Sequence, residues 1–287
     1  MLYNLSQSQS QENTALQQVA TGLRVNMPSD DPAAAAADVQ NQAAQSQTDQ
    51  YLQNTSSLEG LLQTADSTLS SVVTSLNQAV SLGVEGANGT LSAADQQSIA
   101  QQVQGIRDGM VQLANVSYQG SYIFAGTANN TAPYSLNPAQ PSGVQYNGNT
   151  GTNTVGIASG RNIQVNVPGS QIFQGAGGDV MGSLQQLITA LQSGNTANIG
   201  TATNQVTAAL NHVSQQRVFY GNAVNELNSN QTFLQQEKVN LQTQQNSLVG
   251  VDMATAASNL NLAQTAHQAA LAALAKVIPE SLLDYLK

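Results

Sequence analysis

The chain has 287 residues, of which 7 are Lys or Arg and 16 are Asp or Glu, so its formal net charge at pH 7 is -9. So few basic residues argue against a nucleic-acid partner and against electrostatic binding to an anionic membrane. The absence of cysteine excludes a disulfide framework and cysteine-ligated metal sites.

The apolar side chains of this protein are mostly small. Apolar residues make up 40% of the chain, yet there is no Trp and only 4 Phe, while Gln, Asn, Ser, Thr and Ala fill the predicted helices. Small side chains bury little area each, and burial contributes about 25 cal/mol per Å². Such helices need length and close neighbours, which favours an assembling rod over a compact enzyme.

The first ten residues contain neither the basic leader nor the apolar run of a Sec-type signal. No stretch reaches the apolar length of a transmembrane helix. If the protein leaves the cytoplasm, we expect it to do so without a cleaved signal peptide.

A spacing of three and four marks the first predicted helix, which we expect to end at the turn-forming residues 24–30. Its stripe consists of Leu2, Leu5, Gln9, Glu12, Leu16, Val19 and Leu23. Asp31 followed by Pro32 is then typical of the N-cap and first position of a second helix.

Two long helices, residues 33–84 and 196–249, are predicted to carry coiled-coil seams with steps of four and three. The seam of the first contains Leu58, Leu62, Ala65, Leu69, Val72, Leu76 and Ala79. The seam of the second is interrupted by Arg217, Gln231, Lys238 and Gln245. Its partner must therefore tolerate polar groups, and must lie elsewhere in this chain or in another chain.

Between these helices the sequence predicts a third helix and then a β-rich insert. Ser92 and Asp95 form an approximate capping box for a helix that is expected to reach Ser117. From Tyr118 the segments become short, rich in β-branched and aromatic residues, and separated by turns. The predicted strands are residues 122–124, 144–146, 154–157, 163–167 and 171–173.

The last helix is expected to run from Met253 to Val277, with Pro279 ending it. One side of this helix carries Leu260, Ala263, His267, Ala270, Leu274 and Val277. The tail that follows contains Leu282, Leu283 and Leu286. So much apolar surface on a chain end predicts that the tail docks on its own chain or on a neighbour.

No motif for catalysis or metal binding occurs in the sequence. The carboxylates are scattered singly, and neither His212 nor His267 has a second candidate ligand close to it in sequence. The GxSxG, HExxH, P-loop and EF-hand spacings are absent. We therefore predict no enzyme activity, no cofactor and no metal site, and we expect both histidines to be surface or seam residues.

Three stretches resemble the flagellin superfamily. Residues 21–37 read TGLRVNMPSDDPAAAAA and resemble the segment that follows the first helix in that family. Residues 117–127 read SYQGSYIFAGT and resemble the end of its helical core before the variable insert. Residues 248–286 end in SLLDYL and are similar to its C-terminal segment. The YIFAG and SLLDYL forms resemble the hook–filament junction branch more than filament flagellins.

The element order and the resemblance predict the same fold class, mainly α with a β-rich insert (α+β). The expected architecture is a long antiparallel helical bundle or coiled-coil rod, with one small β domain inserted between the helical halves. Five segments are predicted: a terminal assembly segment at 1–37, rod at 38–117, β insert at 118–179, rod at 180–250 and a second assembly segment at 251–287.

The resemblance implies a structural subunit of the bacterial flagellum. In that role the chain would form an adaptor ring joining the hook, through the first hook-associated protein, to the flagellin filament. The resemblance also implies flagellar type III export with a small chaperone, an extracellular location, and terminal helices that fold on assembly. The candidate assembly residues are Leu16, Val19, Leu23, Leu260, Leu271, Leu274, Leu282, Leu283 and Leu286.

Other interpretations remain open at this point. A small filament flagellin would polymerise into long filaments as a pure protein. A secreted enzyme or a protein with a binding insert would carry its activity in residues 118–179. Asp179 is the only carboxylate of that segment, which argues against an enzyme. A glycan-binding insert stays possible because loops often carry function.

Overall fold

The computed structural model describes residues 2–283, with side chains within residues 3–275. The helices are α1 Leu2–Thr21, α2 Pro32–Gly86, α3 Ala93–Ala114, α4 Gly169–Phe173, α5 Val180–Ser193, α6 Thr196–Val249 and α7 Met253–Leu283. The strands are β1 Ser117–Tyr118, β2 Ser121–Tyr122, β3 Tyr134–Leu136, β4 Val144–Tyr146, β5 Thr154–Ala158, β6 Arg161–Gln164, β7 Gln174–Gly175 and β8 Gly178–Asp179.

The chain divides into two compact units. One comprises residues 1–50 with 235–287, and the other comprises residues 51–234. Helices α2 and α6 contribute residues to both units.

Within residues 51–234, α2 and α6 run antiparallel and pack along the predicted seams. All seven predicted seam residues of α2 are buried. On α6 every second predicted seam position is buried, at Val206, Val213, Tyr220, Leu227 and Leu234. The alternate positions, Leu210, Arg217, Val224 and Gln231, are half-buried, and the buried residues beside them are Ala209, Ala223 and Asn230. The seven-residue period of a coiled coil is therefore present on both helices. The seam prediction is confirmed for α2, and for α6 it is confirmed at every second position and wrong by one residue at three of the four positions between.

The polar interruption at Arg217 of α6 is matched by Asp66 of α2. The guanidinium donates from Nε and Nη2 to the two carboxylate oxygens, at 2.7 Å and 3.0 Å. Both side chains are about one-third exposed, so the pair contributes on the order of 1 kcal/mol or less to stability. We infer that its main effect is on register, because a heptad slip would leave the charges unpaired.

Helix α3 packs against α5 and begins at the predicted capping box. The Ser92 hydroxyl accepts from the Asp95 N–H at 3.2 Å, and the Asp95 carboxylate accepts from the Ser92 N–H at 3.1 Å. The prediction that this helix reaches Ser117 is wrong, because it ends at Ala114. The Asn115 amide then makes two 2.8 Å hydrogen bonds with the Tyr134 backbone, which draws the chain out of the helix.

The insert consists of antiparallel two-stranded hairpins around α4. The predicted strand at residues 144–146 is confirmed as β4, which pairs with β3. The predicted strands at 154–157 and 163–167 correspond to the hairpin β5–β6, although β6 ends at Gln164.

Two strand predictions in the insert are wrong in part or in full. Residues 171–173 belong to α4, and Ile123 and Phe124 form a turn after β2. In both places neighbouring residues are buried together, as Ile172 and Phe173 show. A strand with one solvated face would bury only every second residue. Two neighbouring buried residues therefore fit a turn or a helix better than such a strand.

Aromatic rings form the core of the insert. Phe173 lies edge-on to Phe124 and Tyr134, with ring centroids 5.5 Å and 5.6 Å apart. Tyr146 lies 5.1 Å from Tyr134. Burial raises the pKa of the Tyr134 phenol well above its ordinary value, so this ring stays neutral at physiological pH.

The insert is fastened to α2 and α6 by polar side chains of those helices. Asn54 and Asn230 donate to the carbonyl oxygens of Gly156 and Ile157 in β5, at 3.1 Å and 2.8 Å. These amides satisfy backbone acceptors on β5, and a covered strand edge cannot pair with another chain.

In the unit of residues 1–50 and 235–287, α2 and α6 again run antiparallel with polar residues at the seam. Asn41 donates to the Leu241 carbonyl at 2.9 Å. Predicted seam residue Gln245 accepts from Gln45 at 3.1 Å, and Lys238 pairs with Asp49 at 2.7 Å.

The prediction that Pro279 ends the last helix is wrong, because α7 continues to Leu283. A proline inside a helix removes one backbone donor and bends the axis, but the flanking turns can keep helical dihedrals.

Candidate assembly interface

The loop that follows α1 contacts the segment that joins α6 to α7. Leu23 and Gly250 form an isolated antiparallel bridge. The Arg24 N–H donates to the Val249 carbonyl at 2.7 Å, and the Val251 N–H donates to the Gly22 carbonyl at 3.1 Å. Gly22 has a φ of 71°, a conformation that glycine adopts without strain, and it ends α1 in the common left-handed manner.

Arg24 joins this bridge to the start of α2. Its guanidinium donates to the Asp31 carboxylate at 3.2 Å and to the Leu248 carbonyl at 2.9 Å. Asp31 also accepts from the Ala34 N–H at 3.0 Å, which confirms its predicted N-cap role. The hydrogen bond from Ala34, and then the one from Arg24, lower the pKa of Asp31.

Helices α1 and α7 leave this junction side by side and pack against each other. The side chains that they bury are small: Ser8 and Ala15 on α1, and Ala256 and Ala263 on α7. Residues 8 and 15, like residues 256 and 263, are one heptad apart, so each helix presents a stripe of small residues to the other. Small residues let the two backbones approach closely but bury little apolar area.

The predicted assembly residues on this pair differ in how exposed they are. Val19, Leu260 and Leu274 are half-buried, whereas Leu16 is 53% and Leu271 is 47% exposed. Leu23 is 36% exposed at the bridge. The side chains of Leu282 and Leu283 and the whole of Leu286 lie outside the described residues.

Sequence reasoning missed two features of this region. The first is the small-residue stripe, which a search for large apolar residues passes over; the recurrence of Ser and Ala at a heptad could have revealed it. The second is Leu262, which is 74% exposed. It lines a groove of about 410 Å³ beside the pair, together with Thr14, Ala15, Ala263 and Ala266.

Titratable groups are sparse across the part of the chain that the structure describes. No three His, Cys, Asp or Glu side chains there lie close enough to share a metal ion. His212 is half-buried, and its Nε2–H donates to the Gln171 carbonyl at 2.7 Å. No helix among the same residues is long and apolar enough to span a bilayer.

The chain is similar in sequence to known flagellar proteins. Models of the bacterial flagellin N-terminal and C-terminal helical regions match residues 1–129 and 203–286. Flagellar hook-associated protein 3 of Salmonella typhimurium is 31% identical over 289 residues, which cover 92% of this chain and 90% of that protein. This chain belongs to the flagellin superfamily. The Escherichia coli hook-associated protein 3 is 30% identical over 277 residues, covering 88% and 86%.

Solved structures of similar proteins share the flagellin-superfamily fold seen here. A putative flagellar hook-associated protein from Vibrio parahaemolyticus matches with a TM-score of 0.70 and 22% identity, covering 77% of this chain and 100% of that one. Flagellar hook-associated protein 3 from Legionella pneumophila matches with a TM-score of 0.66 and 15% identity, covering 72% and 98%. These likenesses support the predicted fold class, a helical rod with a small β insert.

Proposed function

We propose that this chain is a structural subunit of the bacterial flagellum, an adaptor that joins the hook to the flagellin filament. The observation that carries the proposal is the likeness to hook-associated protein 3 along nearly the whole chain, rather than over the terminal helices alone. A filament flagellin is the rival within the superfamily, and long filaments formed by the pure protein would favour that rival.

The terminal pair α1/α7 is the proposed assembly segment. Exposed leucines at positions 16, 262 and 271 leave apolar surface on a pair that buries only small side chains between its own helices. Covering such surface with a neighbour is favourable at about 25 cal/mol per Å². The proposed neighbours are further copies in a ring, the first hook-associated protein and flagellin, with an export chaperone binding the chain before assembly.

The remaining proposals concern location and chemistry. We place the protein outside the cell on the flagellum, exported without a cleaved signal peptide, and without enzymatic activity. The five-segment division proposed for the chain is functional, with residues 1–37 and 251–287 serving assembly.

The variant Leu271→Asp tests the proposed assembly role. Because Leu271 is half exposed and lies outside the small-residue contact, the substitution should leave the α1/α7 pair folded. We expect loss of the variant from assembled flagella and release of unattached filaments into the medium. The control Gln268→Asp adds the same charge to an exposed position of α7 and removes no apolar side chain. Normal filament attachment by Leu271→Asp would contradict the proposal.

A further inference from the structure

The chain contains two Asn-Gly dipeptides, Asn88-Gly89 and Asn147-Gly148. Asparagine before glycine is the least hindered site for attack of a backbone nitrogen on a side-chain amide, because glycine has no Cβ to block the approach. The attack forms a five-membered succinimide ring. Whether it occurs in a folded protein depends on how the structure holds the two reacting groups.

Asn88 lies in the loop between α2 and α3, and its side chain is hydrogen-bonded to the residue after the attacking Gly89. Its Oδ1 accepts from the Thr90 N–H at 3.2 Å and from the Thr90 hydroxyl at 2.9 Å. This Asx turn carries the side-chain carbonyl forward over Gly89. Two donors on Oδ1 also draw electron density from the amide carbon and stabilise the oxyanion that an attack would form.

The surroundings of Gly89 leave room for the reaction. Gly89 and Asn88 are both exposed, and apart from Gly89 and its two chain neighbours no atom lies within 4 Å of the Cβ position of Gly89. Within residues 2–283 the Gly89 nitrogen has no acceptor and the Asn88 Nδ2 has no partner. The nucleophile and the leaving group are therefore both free, and solvent reaches them.

The second dipeptide is held in an unreactive arrangement, although Asn147 is also exposed. The Asn147 Nδ2 donates to the Ser135 hydroxyl at 3.0 Å, which ties the leaving group to β3. A Cβ atom on Gly148 would lie 2.5 Å from Cζ and from the hydroxyl oxygen of Tyr146, and 2.8 Å from the Ala125 carbonyl oxygen. The peptide cannot rotate toward the Asn147 side chain without moving these groups.

We propose that Asn88 is a site of spontaneous deamidation in the folded protein, whereas Asn147 is protected. The Gly89 nitrogen forms a bond to Cγ of Asn88 and loses its proton to solvent, and the Cγ–Nδ2 bond breaks with release of ammonia. Water then opens the succinimide at either carbonyl, giving aspartate or isoaspartate at position 88. The reaction consumes one water and releases one ammonia, and it needs no oxidant, metal or enzyme.

The product changes the loop that connects α2 and α3. The new carboxylate adds a negative charge to a chain whose net charge is already -9, close to Glu85 and to the capping box of α3. Isoaspartate also inserts a methylene into the main chain, which removes the turn in which the Leu91 N–H donates to the Asn88 carbonyl at 3.2 Å. The modification therefore marks older molecules with a loosened α2–α3 connection.

Peptide mapping by mass spectrometry, with isoaspartate labelling, tests the proposal on the full chain. The purified protein is incubated in mildly alkaline buffer, once native and once in denaturant. We expect the Asn88 peptide to convert about tenfold faster than the Asn147 peptide in the native protein, and the two to convert at similar rates in denaturant. Equal native rates, or faster conversion of Asn147, would overturn the proposal.

Two variants test whether the arrangement of residues 88–90, rather than the flexibility of the loop, sets the rate of deamidation at Asn88. Gly89→Ala places a methyl group on the attacking residue and should suppress conversion at position 88 while leaving Asn147 unchanged. Thr90→Val removes the hydroxyl donor to Oδ1 and should slow conversion several-fold. An unchanged rate in Thr90→Val would show that the Asx turn does not activate the amide, and would refute that part of the mechanism.

Discussion

Gly169 shows how one residue decides the packing of the insert. Its N–H donates to the Phe124 carbonyl at 2.8 Å, and an added Cβ would lie 2.8 Å from that oxygen and 3.0 Å from the Tyr134 ring. Backbone atoms cannot move aside as a flexible side chain can. Helix α4 can therefore approach the aromatic core this closely only because residue 169 is a glycine, which has no side chain.

We expect Gly169→Ala to destabilise the protein by about 1–3 kcal/mol, because the methyl group overpacks a filled core. Gly105 offers a matched control, since it lies exposed on α3 with nothing within 4 Å of its Cβ position. Gly105→Ala should stabilise by up to about 1 kcal/mol through helix propensity. Chemical denaturation measures both changes, and equal effects of the two variants would contradict this account.

The capping box of α3 gives a pH-dependent contribution to stability. Hydrogen bonds from the Ser92 side chain, and then from its backbone, lower the pKa of Asp95 below its unfolded value. The stabilisation is therefore present above the unfolded pKa and is lost as the pH falls through the lower folded pKa.

We expect Ser92→Ala to raise the pKa of Asp95 toward its ordinary value, because the largest cause of the shift is removed. NMR titration of the Asp95 carboxyl measures this directly. Loss of thermal stability should accompany the shift at neutral pH and diminish in acid. An unchanged pKa in the variant would show that another group sets it.

At the scale of elements, α1 and α7 form a pair whose fully buried side chains are all small. Their mutual contact buries Ala and Ser side chains, whereas the α2/α6 seam of residues 51–234 buries Leu, Val and Tyr. Local opening requires less free energy where less apolar area is buried. The terminal pair should therefore open first.

We expect Ala263→Asp to separate α1 from α7, because a carboxylate at this buried position has no cation to pair with on the described part of α1. Limited proteolysis should then remove both terminal helices early, while a fragment spanning residues 51–234 survives. Ala269→Asp is the control, since it adds the same charge at an exposed position of α7. The same digestion pattern for both variants would contradict the packing described here.

Much of the fold could be predicted from the sequence because its signals are local and periodic. The heptads of α2 and α6 and the Ser92 capping box depend on residue spacing alone. The structure confirms the α2 seam, the capping box and every second position of the α6 seam. The end of α3 depends on a tertiary contact between Asn115 and Tyr134, which no local pattern contains. The paired apolar residues of α4 resemble a strand in the sequence because a five-residue segment is too short to show a helical period.

The candidate interface was harder to predict than the fold. The sequence predicts large apolar residues of α1 and α7 as the assembly residues. A stripe of large residues does not by itself indicate whether it faces the neighbouring helix of the same chain or another subunit. In the structure the fully buried residues of the pair are Ser and Ala, Val19, Leu260 and Leu274 are half-buried, and Leu16 and Leu271 are exposed. Their part in assembly stays a prediction.

At the scale of the whole molecule, the composition suits a subunit that becomes stable by assembly. Only 8% of the residues are charged, and apolar side chains of the terminal pair remain exposed. Ordering a helix opposes folding by roughly 1–2 kcal/mol per residue, so a pair with a small-residue contact gains from further neighbours. A filament flagellin and a junction adaptor would differ in the number of neighbouring subunits around this pair and in the part of the flagellum where they lie.

The most direct test of the junction role is to locate the protein in a flagellum. A tagged copy is expressed in a flagellated bacterium that lacks its own hook-associated protein 3, and the tag is imaged by electron microscopy. The adaptor account predicts one narrow band of label between the hook and an attached filament. Label along the filament, or unlabelled hooks with filaments shed into the medium, would contradict it.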